Sequence, residues 1–177
     1  MDFELPAGRI SRNQPAMSAS RNRCHVLFVC LGNICRSPAA EIIFRKKVAD
    51  AGRSHEFHID SAGTIGHHHG SPPDHRMAQA LTRKGFEVTG RARRIEPHDL
   101  GKFALIVTMD ESNLADVRAL DPGGQSHAKI RSFVGFCRRH SDLRVPDPYY
   151  GGPSGFAHVI ELLIDGCEGI LEEIPAN

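Results

Sequence analysis

The stretch Val26–Ile42, "VLFVCLGNICRSPAAEI", decides how the rest of the chain is read. An apolar, β-branched run stops at Cys30, Arg36 and Ser37 follow six and seven residues later, and from Pro38 the pattern turns helical. A short apolar run of this kind predicts a fully buried strand. "SPAAEIIFRKKVADAG" predicts a helix: Ser37 can cap it, Pro38 suits its first turn, Glu41 stands near the positive end of its dipole, and Gly52 stops it. A thiol, a glycine, an asparagine and a guanidinium therefore share one tight strand-to-helix turn.

Outward from this turn, short β-rich runs alternate with helical ones. "HEFHIDSAG", "FALIVTM" and "AKIRSF" predict three further strands. "PPDHRMAQALTRKG" predicts a helix starting after Pro-Pro, and "DESNLADVRAL" another, with Asp110 or Ser112 as its cap. "GFAHVIELLIDGCEGILEEI" predicts a closing helix that its two interior glycines weaken. This alternation implies an α/β fold: a four-stranded parallel sheet with helices on both faces. Ligands of such sheets bind at the carboxyl ends of strands where strand order reverses. The turn after the first strand is such a place.

The turn has the chemistry of a phosphate site. The backbone N–H groups of Leu31, Gly32, Asn33, Ile34 and Cys35 can curl round an anion, helped by the following helix N-terminus. Gly32 permits unusual backbone angles and Asn33 tolerates a left-handed one. The nucleotide P-loop pattern GxxxxGK[ST] is absent. Arg36 offers instead a planar fork for two phosphate oxygens. Such surroundings favour the thiolate of Cys30, a nucleophile beside the bound phosphate, and Ser37 can donate a hydrogen bond to it. Taken singly, each residue has an ordinary explanation as a core thiol, a turn former or a solvated arginine. The whole pattern C-x5-R-S between strand and helix outweighs those.

The bulk properties narrow the alternatives. The chain has 177 residues, 40% of them hydrophobic and 24% charged, with a formal net charge of +1. That charge argues against a nucleic-acid binder, and no apolar run is long enough to suggest a membrane span. Cys24, Cys30, Cys35, Cys137 and Cys167 form no stapling or zinc-ligand pattern, which fits a reducing, cytoplasmic setting. Residues 1–23 lack a secretory apolar core, and Asp2 and Glu4 sit where a transit segment avoids acids. They are expected to form a disordered tail, with Met17 an alternative start, ahead of a single domain over 24–177. Three adjacent histidines, His67–His69, point in different directions, so "GHHHG" predicts no metal site.

"VCLGNICRSP" resembles the active-site signature of the low-molecular-weight protein tyrosine phosphatases, and "DSAGT", "PPDHRM", "VTMDESN" and "DPYYGG" resemble segments of that family in the same order. The resemblance implies a metal-free, cofactor-free hydrolase of phosphotyrosine and other aryl phosphates, working through a cysteinyl-phosphate. By it, Cys30 is the nucleophile, Arg36 grips the phosphate, and Asn33 and Ser37 shape loop and thiolate. It also makes Asp147, between two prolines, the general acid. Tyr149 and Tyr150, the only tyrosines, then line the pocket, with Leu31 and Ile34 as its apolar floor and wall. Asp60 and Ser61 brace the loop by hydrogen bonds. His67 stands in a variable wall that often carries an aromatic residue, and Gly90 stands where some relatives have a histidine bracing the loop asparagine. Both departures bear on specificity and loop support.

Cys35, inside the same loop, is expected to capture an oxidised Cys30 as a disulfide. The expected partners are a phosphotyrosine protein or a small aryl phosphate, met by a monomer or weakly self-associating protein. Two rivals exist. A thiol-dependent arsenate reductase shares a similar loop but needs a cysteine shuttle after the third strand, where this chain reads "VTMDESN". A non-catalytic phosphotyrosine or anion-binding module would be expected to lose the nucleophile or the acid, and this chain keeps both.

Overall fold

The computed structural model describes residues 23–126 and 129–176. The tail expected over residues 1–23 lies, apart from Arg23, outside the described residues. The elements run β1 (Cys24–Cys30), α1 (Arg36–Asp50), β2 (Phe57–Gly63), α2 (His75–Arg83), α3 (Pro97–Lys102), β3 (Leu105–Thr108), α4 (Glu111–Ala119), β4 (Lys129–Ser132) and α5 (Pro153–Glu173). All four strands are parallel, in the order β2-β1-β3-β4. β1 is central and its last residue, Cys30, is in register with Gly63, the last of β2.

From Val26 to Cys30 the central strand is apolar and buried because both of its faces are covered. Val26 and Phe28 point into one core with α1, α2 and α5; Leu27 and Val29 point into a second with Leu100 of α3 and Val117 of α4. The chain leaves β1 toward β2, then crosses to β3 on the other side. The carboxyl ends of β1 and β3 therefore frame the crevice where strand order reverses.

Several local expectations need correction. α1 begins at Arg36, with Cys35 in the capping position and making no side-chain cap bond; Ser37 lies inside the helix and its hydroxyl is used elsewhere. Glu41 accepts from Arg45 and from Ser61. α2 starts after Pro-Pro as expected, at His75, with Asp74 supplying the cap by accepting from the N–H of Arg76. Asp110, of the two candidates, caps α4. The short helix α3 and the 3-10 turn Phe133–Phe136 were not expected.

That 3-10 turn explains the two glycines in the interior of α5, Gly166 and Gly169. A Cβ at Gly166 would lie 2.1 Å from Phe133, and one at Gly169 would lie 1.9 Å from the Phe136 carbonyl oxygen. The lower helix propensity of glycine is offset by close packing of the turn on the helix.

α5 also buries a charge. Asp165, fully buried, accepts from the backbone N–H groups of Arg138, Arg139 and His140 and is 2.9 Å from His140 Nδ1. Burial raises its carboxyl, but the His140 bond and the three N–H donors outweigh that and hold it at about 2. A lowered carboxyl contributes stability above its unfolded value, which is lost as pH falls through the folded one. Asp165→Ala, which leaves three N–H groups unpaired, is expected to cost about 2–3 kcal/mol in urea unfolding at neutral pH. The difference from wild type should shrink between about pH 4 and pH 2; a pH-independent difference would contradict this account.

Candidate active site

The loop after β1 curls because Asn33 is left-handed (φ 55°), the sole non-glycine among the described residues with positive φ. Gly32, expected to supply the unusual angles, does not. Its lack of a side chain matters because a Cβ there would lie 3.0 Å from the His68 ring. Gly63 is tighter still: a Cβ would come within 2.7 Å of the Leu31 carbonyl oxygen and 3.1 Å of the Asn33 nitrogen. The loop is thus laid directly on the backbone at the end of β2, where Thr64 and Ile65 donate to the carbonyls of Cys30 and Leu31.

Asn33 is buried and uses its whole side chain. Its Nδ2 donates to Ser37 Oγ and Ser61 Oγ, both at 2.9 Å, and its Oδ1 accepts from the Arg93 N–H at 2.9 Å. Gly90, placed where some relatives have a bracing histidine, contributes no side chain; the Arg93 backbone supplies the donor. Ser61 passes the restraint to Glu41 Oε2 at 2.6 Å. Asp60 does not reach the loop, contrary to expectation. Its Oδ1 accepts from the Ser61 N–H and its Oδ2 pairs with the Arg93 guanidinium, which also binds Asp99. Asp60 supports the loop one step removed, through the segment that presents the Arg93 N–H.

Cys30, 3% exposed, sits at the bottom of the loop. Its Sγ lies 3.0 Å from Ser37 Oγ and accepts from the Asn33 N–H at 3.3 Å. Arg36, equally buried, turns its fork toward the far wall. Nη1 donates to Asp110 Oδ2 (2.6 Å) and to the Val145 carbonyl (3.1 Å), and Nη2 donates to Asp147 Oδ2 (3.2 Å). Burial would lower this guanidinium, but the charge of the Cys30 thiolate, the Asp110 hydrogen bond and Asp147 outweigh it and hold Arg36 above the usual arginine range. Cys35 is the opposite case. Burial, then the charges of Asp74, Cys30 and Asp147, push its thiol well above the ordinary cysteine range.

Above this floor opens a cleft of about 260 Å³. It is lined by Cys30, Leu31, Gly32, Ile34, Cys35 and Arg36 of the loop and helix start, by Ile65, His67 and His68, and by Asp147, Tyr149 and Tyr150. The residues expected to form the site therefore converge, except Asp60. Asp110, Glu41, Gly63 and His68 were not foreseen as part of it. Asp110 and Gly63 stand in the recognised segments "VTMDESN" and "DSAGT", but only the folded contacts reveal what they touch.

A buried thiol that accepts from a loop N–H ahead of a helix N-terminus, with a buried arginine and a carboxyl lining the same cleft, defines the class of cysteine-dependent phosphatases. The family profile described as "Low molecular weight phosphotyrosine protein phosphatase" matches residues 25–177. A putative low molecular weight protein-tyrosine-phosphatase of Synechocystis sp. is 47% identical over 149 residues, 84% of this chain and 95% of that protein. The human low molecular weight phosphotyrosine protein phosphatase is 42% identical over 149 residues, 84% and 94% of the two chains. The crystal structure of a protein tyrosine phosphatase from Entamoeba histolytica superposes with a TM-score of 0.81 at 39% identity, covering 84% of this chain and 95% of that one. The chain belongs to the low molecular weight phosphotyrosine protein phosphatase family.

The approach of the loop to Gly63 gives a specific expectation. Gly63→Ala must push the Leu31 carbonyl away, displacing the cradle by up to about 1 Å. Misplacement of that size costs about 100-fold in rate. Turnover of p-nitrophenyl phosphate should fall about 10- to 100-fold while the far-ultraviolet spectrum stays unchanged.

Proposed function

We propose that this phosphatase hydrolyses phosphotyrosine and other aryl phosphates through a cysteinyl-phosphate on Cys30. The observation that carries this reading is the Cys30 sulfur accepting from the Asn33 N–H within the loop, with Arg36 and its partner Asp147 lining the same cleft. Phosphate oxygens accept from the N–H groups of Leu31 to Cys35, from those at Arg36 and Ser37, and from the Arg36 fork. The Cys30 thiolate attacks phosphorus as the bond to the phenolic oxygen breaks, and protonated Asp147 gives its proton to that oxygen. Asp147 then takes a proton from water, which attacks phosphorus and breaks the P–S bond. Inorganic phosphate leaves and the thiolate returns, favoured as a leaving group by the Ser37 hydroxyl.

In the free enzyme Asp147 is paired with Arg36. An incoming phosphate takes over the guanidinium and releases Asp147 toward the leaving oxygen. The rings of Tyr149 and Tyr150, 5.0 Å apart and nearly perpendicular, stand with Leu31 and Ile34 along the path a substrate ring would follow. His67, at the position expected to carry an aromatic residue in many relatives, lines the cleft together with His68. All five cysteines are free thiols, which supports a reducing, cytoplasmic setting. Among the described residues no helix is long and apolar enough to cross a membrane.

Cys30→Ser should abolish turnover of p-nitrophenyl phosphate, and unchanged turnover would end the covalent route. Asp147→Asn should slow phenyl phosphate about 100-fold or more, the lower end of what a positioned acid contributes, and affect p-nitrophenyl phosphate much less.

Cys35 is proposed as a guard of the nucleophile. Peroxide converts the Cys30 thiolate to a sulfenic acid; the Cys35 sulfur displaces water to form a disulfide, which an added dithiol reduces. After a peroxide pulse, dithiothreitol should restore most activity to wild type and much less to Cys35→Ser. Equal recovery would remove the guard role.

A further inference from the structure

Arg76, the second residue of α2, is not among the residues that line the cleft, yet it joins the two halves of the site. Its Nε and Nη2 donate to the two carboxylate oxygens of Asp74, at 3.0 and 2.9 Å. Its Nη1 donates to the carbonyl oxygen of Tyr149 at 2.9 Å. Its guanidinium carbon stands 5.0 Å from the centre of the Tyr149 ring and 5.1 Å from that of Phe156 in the first turn of α5. Asp74 in turn donates its N–H to the Ile34 carbonyl at 2.8 Å. A continuous chain of contacts thus runs from the cysteine loop through Asp74 and Arg76 to the segment carrying Asp147.

That segment has few other holds. Val145 is fixed by the Met109 carbonyl and by Arg36. Beyond it, the bonds from Tyr149 N–H to Asp147 Oδ1 and from Gly151 N–H to the Pro148 carbonyl lie within the segment itself. Among the described residues two side chains tie residues 147–151 to the rest of the protein by hydrogen bonds: Arg36 through Asp147, and Arg76 through Tyr149. A bound phosphate competes for Arg36, so the first tie weakens when the acid is needed. The second does not touch the phosphate and persists.

We propose that Arg76 is the positioning residue for Asp147, holding the acid segment at the leaving oxygen once Arg36 has turned to the phosphate. The inference rests on Asp147 being the general acid. Arginine is required because its planar fork binds the Asp74 carboxylate with two donors, keeps a third for the Tyr149 carbonyl, and stacks on two rings. A lysine provides one point charge and cannot do all of these.

The test uses the full chain and kcat/KM for phenyl phosphate and p-nitrophenyl phosphate, in wild type, Arg76→Leu, Arg76→Lys, Asp147→Asn and the double variant Arg76→Leu/Asp147→Asn. Arg76→Leu should lose about 10-fold or more on phenyl phosphate, a part of the acid's contribution, and about 2-fold or less on p-nitrophenyl phosphate, whose leaving group needs little acid help. In the Asp147→Asn background the Arg76→Leu loss should disappear, since the acid it positions is gone. Inhibition by inorganic phosphate should stay within about 2-fold of wild type, because the cradle is untouched. Arg76→Lys should behave as Arg76→Leu, and it carries the same comparison if the leucine variant does not fold. Equal losses on both esters, a loss that persists in the Asp147→Asn background, or wild-type rates in Arg76→Lys would overturn the proposal. The Asp147→Asn arm alone reports on the acid. If it is insensitive to the leaving group, the assignment of Asp147 falls first and Arg76 has nothing to position.

Discussion

Asn33 is the point on which the site hangs. Its left-handed backbone turns the loop so that its own N–H faces the Cys30 sulfur. Left-handed geometry is costly for most side chains and tolerable for asparagine. Here its side-chain amide also makes three hydrogen bonds, donating to Ser37 of α1 and Ser61 of β2 and accepting from the Arg93 N–H. Three separate parts of the chain therefore agree on one loop conformation before any substrate arrives. Such preorganisation is what lets backbone dipoles stabilise a transferring phosphoryl group without reorganising during the reaction.

The second constraint is the burial of Arg36. Taking a guanidinium out of water costs several kcal/mol unless opposite charge and hydrogen bonds replace the lost hydration. Asp110, Asp147 and the Val145 carbonyl do so in the free enzyme. Asp110 has two tasks: Oδ1 caps α4 through the Asn113 N–H and Oδ2 aims Arg36. The helix start and the phosphate grip are thus one structural unit, set where β3 ends beside β1.

Most of the regular structure is legible from local pattern. β1 carries a run of buried apolar residues from Val26 to Cys30, and the closing helix repeats its apolar positions over twenty-one residues. Errors fall where a tertiary contact overrides a local preference. Ser37 has the chemistry of a helix cap, but the sulfur of Cys30, the Asn33 amide and the Ala62 carbonyl all lie within its reach, and the cap position moves to Cys35. Gly166 and Gly169 argue locally against a helix, whereas the approach of Phe133 and Phe136 makes them its tightest packing points. Asp60 stands next to Ser61 on a strand, so alternation sends the two side chains to opposite faces and only Ser61 meets the loop.

The sequence by itself determined the fold class, the family and the segments that meet at the site. Strand and helix periodicity, the spacing of cysteine, arginine and serine, and the "DPYY" segment are properties of order along the chain. Only the tertiary structure decided how those residues are held. Asp110 against Arg36, Gly63 under the loop and Arg93 on Asn33 join positions 60 or more residues apart in two of the three cases, and thirty in the other. A contact between distant positions depends on which strand lies beside which, and on which side chains the register turns inward. Neither is encoded in the spacing of any one motif.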